Sequence, residues 1–157
     1  MLEKVQIKDA PLLRGMLSRY MAELAAFQTA AATDDAPYPY FEAYWSEPGR
    51  FPFFILEKGQ RVGFILVRGP ESTGDGNHQM AEFFVEPESR GLGVGKRAVR
   101  NTWEQFPGDW SLQAYMANSA AVRFWSARMA EDCVRDAAPF RTEDGDEPIV
   151  RFHFTVR

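Results

Sequence analysis

A glycine-spaced turn after an apolar strand limits the folds that this chain can adopt. Residues 85–95 read V-E-P-E-S-R-G-L-G-V-G, and a helix-like sequence follows them. Gly91, Gly93 and Gly95 lack a Cβ, so backbone N–H groups can converge there at the start of a helix. Unpaired N–H groups and the helix dipole both favour negative charge at that position. The segment therefore predicts an anion site that suits a diphosphate.

The charges around the turn support this interpretation. Residues 89–103 include Arg90, Lys96, Arg97 and Arg100 and no acidic residue, although the chain carries a formal net charge of -4. Such a compact basic island suits a ligand with several phosphates better than a nucleic acid, which needs a long basic face. A solvated basic helix face is the open alternative.

Two other glycine-rich phosphate motifs fit the segment poorly. A P-loop requires G-x-x-x-x-G-K followed by Ser or Thr, whereas Arg97 follows Gly95 and Lys96 here. A dinucleotide-binding fold requires G-x-G-x-x-G and an acidic residue after the next strand, whereas the strand-like run 110–116 ends without a carboxylate.

Two blocks of sequence resemble one family. R-G-L-G-V-G, after a strand that ends in Val-x-Pro, resembles the acetyl-CoA-binding motif of the GNAT superfamily of N-acetyltransferases. N-S-A-A-V-R-F-W at 118–125 is similar to the family's Asn-x-x-Ala pattern on the helix after the fifth strand, and F-P-G-x-W at 106–110 lies between the blocks. The order and separation of the blocks make the resemblance specific, whereas the segment before residue 70 is similar only in the order of its elements.

Length and composition predict a single domain over residues 1–157. The chain is 45% hydrophobic and 14% aromatic, and it contains no linker-like or repeated segment. No apolar run approaches the roughly 20 residues of a membrane helix, so we expect no membrane partner. The single cysteine, Cys133, cannot form an internal disulfide, which favours a reducing, cytoplasmic location.

The pattern of apolar residues predicts the order β-α-α-β-β-β-α-β-α-β-β. The predicted strands are 5–8, 51–57, 61–68, 79–85, 110–116, 133–137 and 149–156. The predicted helices are a long one that Asp9 caps and short or medium ones at 40–46, 92–106 and 118–130, and 69–77 is a predicted loop. The resemblance implies an α/β (α+β) GNAT-like fold. Its mixed sheet would have about seven mostly antiparallel strands, splayed between strands 4 and 5 and flanked by four helices.

The resemblance implies acetyl-CoA as the cofactor and assigns its contacts. The acetyl carbonyl and pantetheine would meet the backbone of Phe83, Phe84 and Val85, and the side chains of Arg90 and Lys96 would add charge at the phosphates. The remaining implied cofactor residues are Gly91, Leu92, Gly93, Val94 and Gly95, whose N–H groups would bind the phosphates together with those of Arg90 and Lys96, and Asn118 and Phe124. No metal site is predicted.

Acetyl transfer to an amine requires a base, because an ordinary alkyl ammonium group has a pKa of about 10 and keeps its proton at neutral pH. Glu82 is the candidate, since it is a carboxylate in the apolar strand M-A-E-F-F-V, where burial can raise its pKa. A solvent-facing or arginine-paired Glu82 is the open alternative, and His78 is a weaker candidate. Gln113 stands where some relatives carry a glutamate that serves as the general base, and a glutamine side chain cannot accept the proton.

The proton donor also departs from the family pattern. Trp125 stands seven residues after Asn118, where many relatives carry a tyrosine, and an indole N–H cannot supply the proton. Tyr115, on the fifth predicted strand, is a speculative substitute, with sheet packing as the alternative.

Acceptor selectivity in the family usually comes from the region after the first helix, here residues 33–45. Its carboxylates and aromatic rings suggest a cationic amine on a small molecule or peptide, although anchoring of a short helix is the better explanation for most of the rings. The residues concerned are Asp34, Asp35 and Glu42, with Tyr38, Tyr40, Tyr44 and Trp45. Two alternatives stay open, a non-catalytic acyl-CoA-binding sensor and a dinucleotide-binding protein of another fold. A homodimer is also left open, because dimers are common in the family.

Overall fold

A computed structural model describes residues 1–29 and 38–157 of the chain. Within these ranges, seven strands form one sheet in the order β1-β2-β3-β4-β5-β7-β6. The strands are β1 Leu2–Lys4, β2 Arg50–Glu57, β3 Gln60–Arg68, β4 His78–Val85, β5 Gly108–Tyr115, β6 Val134–Asp144 and β7 Glu147–Val156. The helices are α1 Ala10–Ala25, α2 Ala43–Ser46, α3 Pro70–Thr73, α4 Val94–Gln105 and α5 Ser119–Arg128, and short 3-10 turns cover Ile7–Asp9 and Pro87–Ser89.

The sheet opens between β4 and β5. All other neighbouring strands pair antiparallel, whereas β4 and β5 pair in parallel through only His78↔Trp110 and Gln79↔Ser111. On the other side of β4, Leu66 pairs with Glu82 and Val67 with Met80, so Ala81 is an extra residue in a β-bulge. A bulge bends its strand and increases the local twist. The mixed, mostly antiparallel sheet splayed between strands 4 and 5 is therefore as predicted.

The bulge also decides which way Glu82 faces. Met80 and Val85 pack in the core layer that includes α4 and Trp125 of α5, whereas Ala81 and Phe84 belong to the layer beneath α1. Glu82 follows Ala81 directly and is hydrogen-bonded to Tyr20 of α1. Two consecutive residues thus face the same layer, which strict strand alternation forbids and a bulge permits.

The start of the chain differs from the prediction. The first strand is Leu2–Lys4 rather than 5–8, because Leu2 and Lys4 pair with β2 and the chain then turns at Ile7–Asp9. Asp9 precedes α1 as predicted, but its side chain makes no capping hydrogen bond. The Asp9 carboxylate instead lies 3.4 Å from the Arg61 guanidinium.

Two further elements differ from the prediction. The sixth strand extends to Asp144 rather than ending at residue 137, because its acidic residues pair with β7 up to a tight turn at Gly145. The predicted loop 69–77 contains the short helix α3, so the described part of the chain has five helices instead of four. None of these helices is long and apolar enough to cross a bilayer.

Candidate active site

A cavity of about 830 Å³ lies where β4 and β5 separate. Its walls come from α1, from β4 and β5, from the turn at 90–96 and from α5. The predicted site residues among its lining are Glu82, Phe83, Phe84, Val85, Arg90, Gly91, Gly93, Val94, Gly95, Lys96, Tyr115, Asn118 and Phe124. Leu92 belongs to the same turn and is 71% exposed. The structure thus gathers the predicted side chains, drawn from separate parts of the sequence, around one opening in the sheet.

The glycine turn presents a row of free backbone donors. Gly91 and Gly93 have φ angles of +80° and +77°, which side chains with a Cβ rarely adopt. The N–H of Arg90 donates to the Pro87 carbonyl at 3.2 Å. Among the described residues, no backbone hydrogen bond uses the N–H groups of residues 91–96, which lie at the start of the 12-residue helix α4. These six donors at a helix N-terminus fit the diphosphate of coenzyme A.

Gly95 is needed for a different reason. Its backbone is helical, but a Cβ there would lie 3.3 Å from the rings of both Phe83 and Phe124. These two rings stack with centroids 5.4 Å apart, and Trp125 packs edge-on against both. The absence of a side chain at Gly95 lets α4 approach this aromatic cluster, which lines the cavity beside the turn.

The basic side chains of the turn already have acidic partners. The Arg90 guanidinium donates to both carboxylate oxygens of Glu23 on α1, at 2.9 and 3.0 Å, and its Nε donates to the Val85 carbonyl at 2.8 Å. Lys96 Nζ lies 3.4 Å from Glu131, and its side chain stays half exposed. Arg90 therefore links α1 to the end of β4, a contact that the local sequence around the turn does not reveal.

Glu82 sits in the cavity wall among phenols. The Tyr20 hydroxyl donates to Glu82 Oε2 at 2.5 Å, and the Tyr38 hydroxyl also hydrogen-bonds this carboxylate. Burial raises the pKa of Glu82 to about 7, and the hydrogen bonds from the two tyrosines partly oppose this rise. The carboxylate thus changes its charge near neutral pH, which suits a general base.

Tyr115 faces the same cavity from β5. Gln28 Nε2, just beyond α1, donates to the Tyr115 hydroxyl oxygen at 2.9 Å. Because the oxygen accepts this bond, the proton of the hydroxyl remains available to a second acceptor.

A model of the acetyltransferase (GNAT) family matches residues 18–129. The chain belongs to this family. The membership confirms the resemblance inferred from the two motifs and agrees with acetyl-CoA as the cofactor. It also removes the alternative of a dinucleotide-binding protein of another fold.

Two solved structures share the architecture of this GNAT chain, and one curated protein is similar to it in sequence. An acetyltransferase from Thermus thermophilus is 18% identical and superposes with a TM-score of 0.68 over 98% of this chain and 96% of that one. AAC(6')-Ib in complex with ribostamycin and coenzyme A is 15% identical, with a TM-score of 0.72 over 100% of this chain and 93% of that one. The uncharacterized protein YrkN of Bacillus subtilis (strain 168) is 29% identical over 110 residues, 68% of this chain. The matched segment spans 57% of YrkN.

Gln113 and Trp125, the two departures from the GNAT pattern, line the cavity, whereas the weaker base candidate His78 does not. Gln113 is exposed and bridges Asp144 and Arg151 by hydrogen bonds of 2.9 Å. Trp125 is 6% exposed and belongs to the core. His78 stacks on Trp110 at the paired end of β4 and β5, outside the cavity lining. The weaker base candidate, His78, is therefore not brought to the site.

Asn118 has a local structural role besides lining the cavity. Its side-chain oxygen accepts from the Ala121 N–H at 3.2 Å and so caps α5. The motif asparagine of this GNAT chain thus fixes the start of the helix that carries Phe124.

Some residues of the predicted acceptor region, 33–45, lie close to Glu82 and others do not. Tyr38 and Tyr44 interact with Glu82, whereas Glu42 is ion-paired with Arg14 at 2.9 Å. Trp45 Nε1 donates to the Val5 carbonyl at 3.0 Å, which is an anchoring contact. Asp34 and Asp35 lie outside the described residues.

Sequence reasoning missed two residues of this site, Tyr20 and Gln28. Tyr20 recurs with the apolar residues of the first helix, and such a pattern does not show which hydroxyl reaches a distant carboxylate. Within the described ranges, no group of three or more His, Cys, Asp or Glu side chains could hold a metal ion.

Proposed function

We propose that this acetyltransferase moves an acetyl group from acetyl-CoA directly to a primary amine of a small molecule or peptide. The observation that carries the proposal is Glu82, a carboxylate with a pKa of about 7 that lies in the wall of the cavity at the gap between β4 and β5. A structural neighbour, AAC(6')-Ib, was solved with ribostamycin together with coenzyme A, which supports an amine as acceptor.

In this proposal the chain holds the cofactor mainly through backbone groups. The free N–H groups of residues 91–96 bind the diphosphate, and Lys96 adds positive charge beside them. The backbone of Phe83, Phe84 and Val85 lines the gap for the pantetheine arm, with the Phe83–Phe124 pair as its apolar wall. When bound there, acetyl-CoA supplies an activated acetyl group as a thioester.

Two side chains transfer protons in this proposal, one as general base and one as general acid. Glu82 takes a proton from the acceptor's ammonium group, leaving a neutral amine with a free electron pair. Tyr115 holds the proton that the departing sulfur needs, and Gln28 fixes the orientation of its hydroxyl. This assigns the base and the acid to different strands on opposite sides of the gap.

The test is a pH–rate profile for thiol release from acetyl-CoA across a panel of small amines and peptide N-termini. We expect kcat/KM of the wild-type protein to rise through a pH of about 7, because Glu82 must be ionised to act as a base. Glu82→Gln removes the group that titrates, so activity should fall by about 100-fold or more and lose this rise. A Glu82→Gln variant that retains the rise would exclude Glu82 as the base.

Tyr115→Phe in the same assay tests the proposed acid. The substitution keeps the ring and deletes the hydroxyl, so we expect kcat to fall by about tenfold or more with the affinity for CoA unchanged. Unchanged turnover would exclude Tyr115. Binding of CoA without thiol release from any amine would favour the acyl-CoA-binding sensor instead.

A further inference from the structure

The core fixes the position of the Tyr20 hydroxyl. The Tyr20 ring lies edge-on to Phe64, with centroids 5.6 Å apart, and 5.9 Å from the ring of Phe84. Both of these phenylalanines are nearly inaccessible to solvent. Because aromatic contacts of this kind restrict the orientation of the ring, they direct the hydroxyl toward the carboxylate of Glu82.

We propose that Tyr20 is a positioning residue for the general base: its hydroxyl holds the Glu82 carboxylate in place in the cavity wall and stabilises its ionised form. This inference rests on the proposed function, in which Glu82 accepts the proton of the amine. An ionised carboxylate has about four lone-pair positions, so one or two tyrosine donors leave room for the acceptor amine.

The groups around Glu82 explain why a phenol suits this role. Glu82 interacts with Tyr20 of α1, with Tyr38 in the segment before α2 and with Tyr44 within α2. Tyr115 of β5 interacts electrostatically with Tyr20. In the described part of the chain, no cation forms an ion pair with Glu82. An arginine here would hold the carboxylate ionised well below neutral pH and weaken it as a base, whereas a neutral phenol stabilises the anion moderately.

The Tyr20→Phe variant tests the role, with Thr155→Val as its matched control. Phenylalanine keeps the ring packed on Phe64 and Phe84 and deletes only the hydroxyl. Thr155→Val also deletes a hydroxyl that donates to a carboxylate, that of Asp109 at 2.6 Å, and neither Thr155 nor Asp109 lines the cavity. Losing one hydrogen bond to the anion should move the rise of kcat/KM upward by about one pH unit, and so reduce kcat/KM at pH 7 about fivefold. The affinity for CoA, measured by calorimetry, should not change.

A second readout needs no acceptor. Titration of the protein with ¹³C-labelled glutamate carboxyls, in which the Glu82 signal is assigned by its loss in Glu82→Gln, should show the same upward shift in Tyr20→Phe and none in Thr155→Val. A Glu82 signal and a rate profile that Tyr20→Phe leaves unmoved would overturn the role of Tyr20. A shifted signal in a protein whose acetyl transfer does not depend on Glu82 would overturn the proposed function instead.

Discussion

At the scale of single residues, the surroundings of Glu82 determine its chemistry. The carboxylate lies between apolar strand neighbours, and burial alone favours its neutral form. Two phenol donors partly restore the ionised form without supplying a positive charge. The balance leaves the pKa close to neutral, where a base can both take up and release a proton.

The same balance makes stability depend on pH. The folded-state pKa of Glu82, about 7, lies above the ordinary value of 4.5, so folding favours the protonated form. This contribution is fully present below pH 4.5 and is lost as the pH rises through about 7. Relative to Glu82→Gln, which stays neutral, the wild-type protein should lose roughly 3 kcal/mol of unfolding free energy between about pH 4 and pH 8.

Urea denaturation of both proteins across this pH range measures the difference. Glu104→Gln is the control, because Glu104 is an exposed residue on α4 that does not line the cavity. A difference between wild type and Glu82→Gln that stays constant with pH would contradict the assigned environment of Glu82.

The sequence was sufficient to select Glu82 but not its partners. The strand M-A-E-F-F-V shows a carboxylate among apolar residues, whereas the bulge at Ala81 that turns it toward α1 leaves no mark in the pattern. Tyr20 lies 62 residues away along the chain. Similarly, the three turn glycines were predicted to serve one purpose, but Gly95 is required by close packing rather than by a positive φ.

At the scale of elements, the proposed phosphate site is a property of the turn and α4 together. Its donors are backbone N–H groups, so most side-chain substitutions leave them in place. The charged side chains nearby have acidic partners that the sequence does not reveal, since Arg90 is paired with Glu23 and Arg97 with Glu57.

Two substitutions at Lys96 distinguish the contribution of its backbone N–H to CoA binding from that of its side-chain charge. Lys96→Ala removes the side-chain charge, and Lys96→Pro removes the charge and one N–H in the first turn of a helix, where proline is tolerated. We expect calorimetry to show that Lys96→Pro weakens CoA binding about tenfold more than Lys96→Ala does. Equal affinities in the two variants would show that this N–H does not hold the phosphate.

Element boundaries depended on pairing that the sequence does not display. Residues 5–8 alternate as a strand does, yet the pairs with β2 form at Leu2–Lys4. The acidic residues before Gly145 have the composition of a loop, yet they continue β6 because β7 is opposite them. In both places tertiary pairing overrides local preference.

At the scale of the whole molecule, α1 connects the two halves of a divided sheet. Ion pairs join Arg19 to Glu86 and Glu23 to Arg90 on the β4 side. Beyond its C-terminal end, Gln28 bonds to Tyr115 of β5, and Thr29 bonds to Glu147 of β7. The helix lines the cavity and contacts Glu82 through Tyr20.

The fold was predictable because the order of two specific motifs determines the family. The acceptor was not predictable, because the cavity wall around Glu82 combines α1, the region after α1 and the strands beyond the gap. Those contacts join distant parts of the sequence that carry no shared motif.

The central claim is that the turn at 91–96 holds the diphosphate of coenzyme A beside the gap between β4 and β5. The most direct test is a crystal structure of the protein grown with CoA. We expect diphosphate density within hydrogen-bond distance of the N–H groups of residues 91–96. Well-ordered CoA bound elsewhere on the protein, with these N–H groups facing only solvent, would contradict the claim.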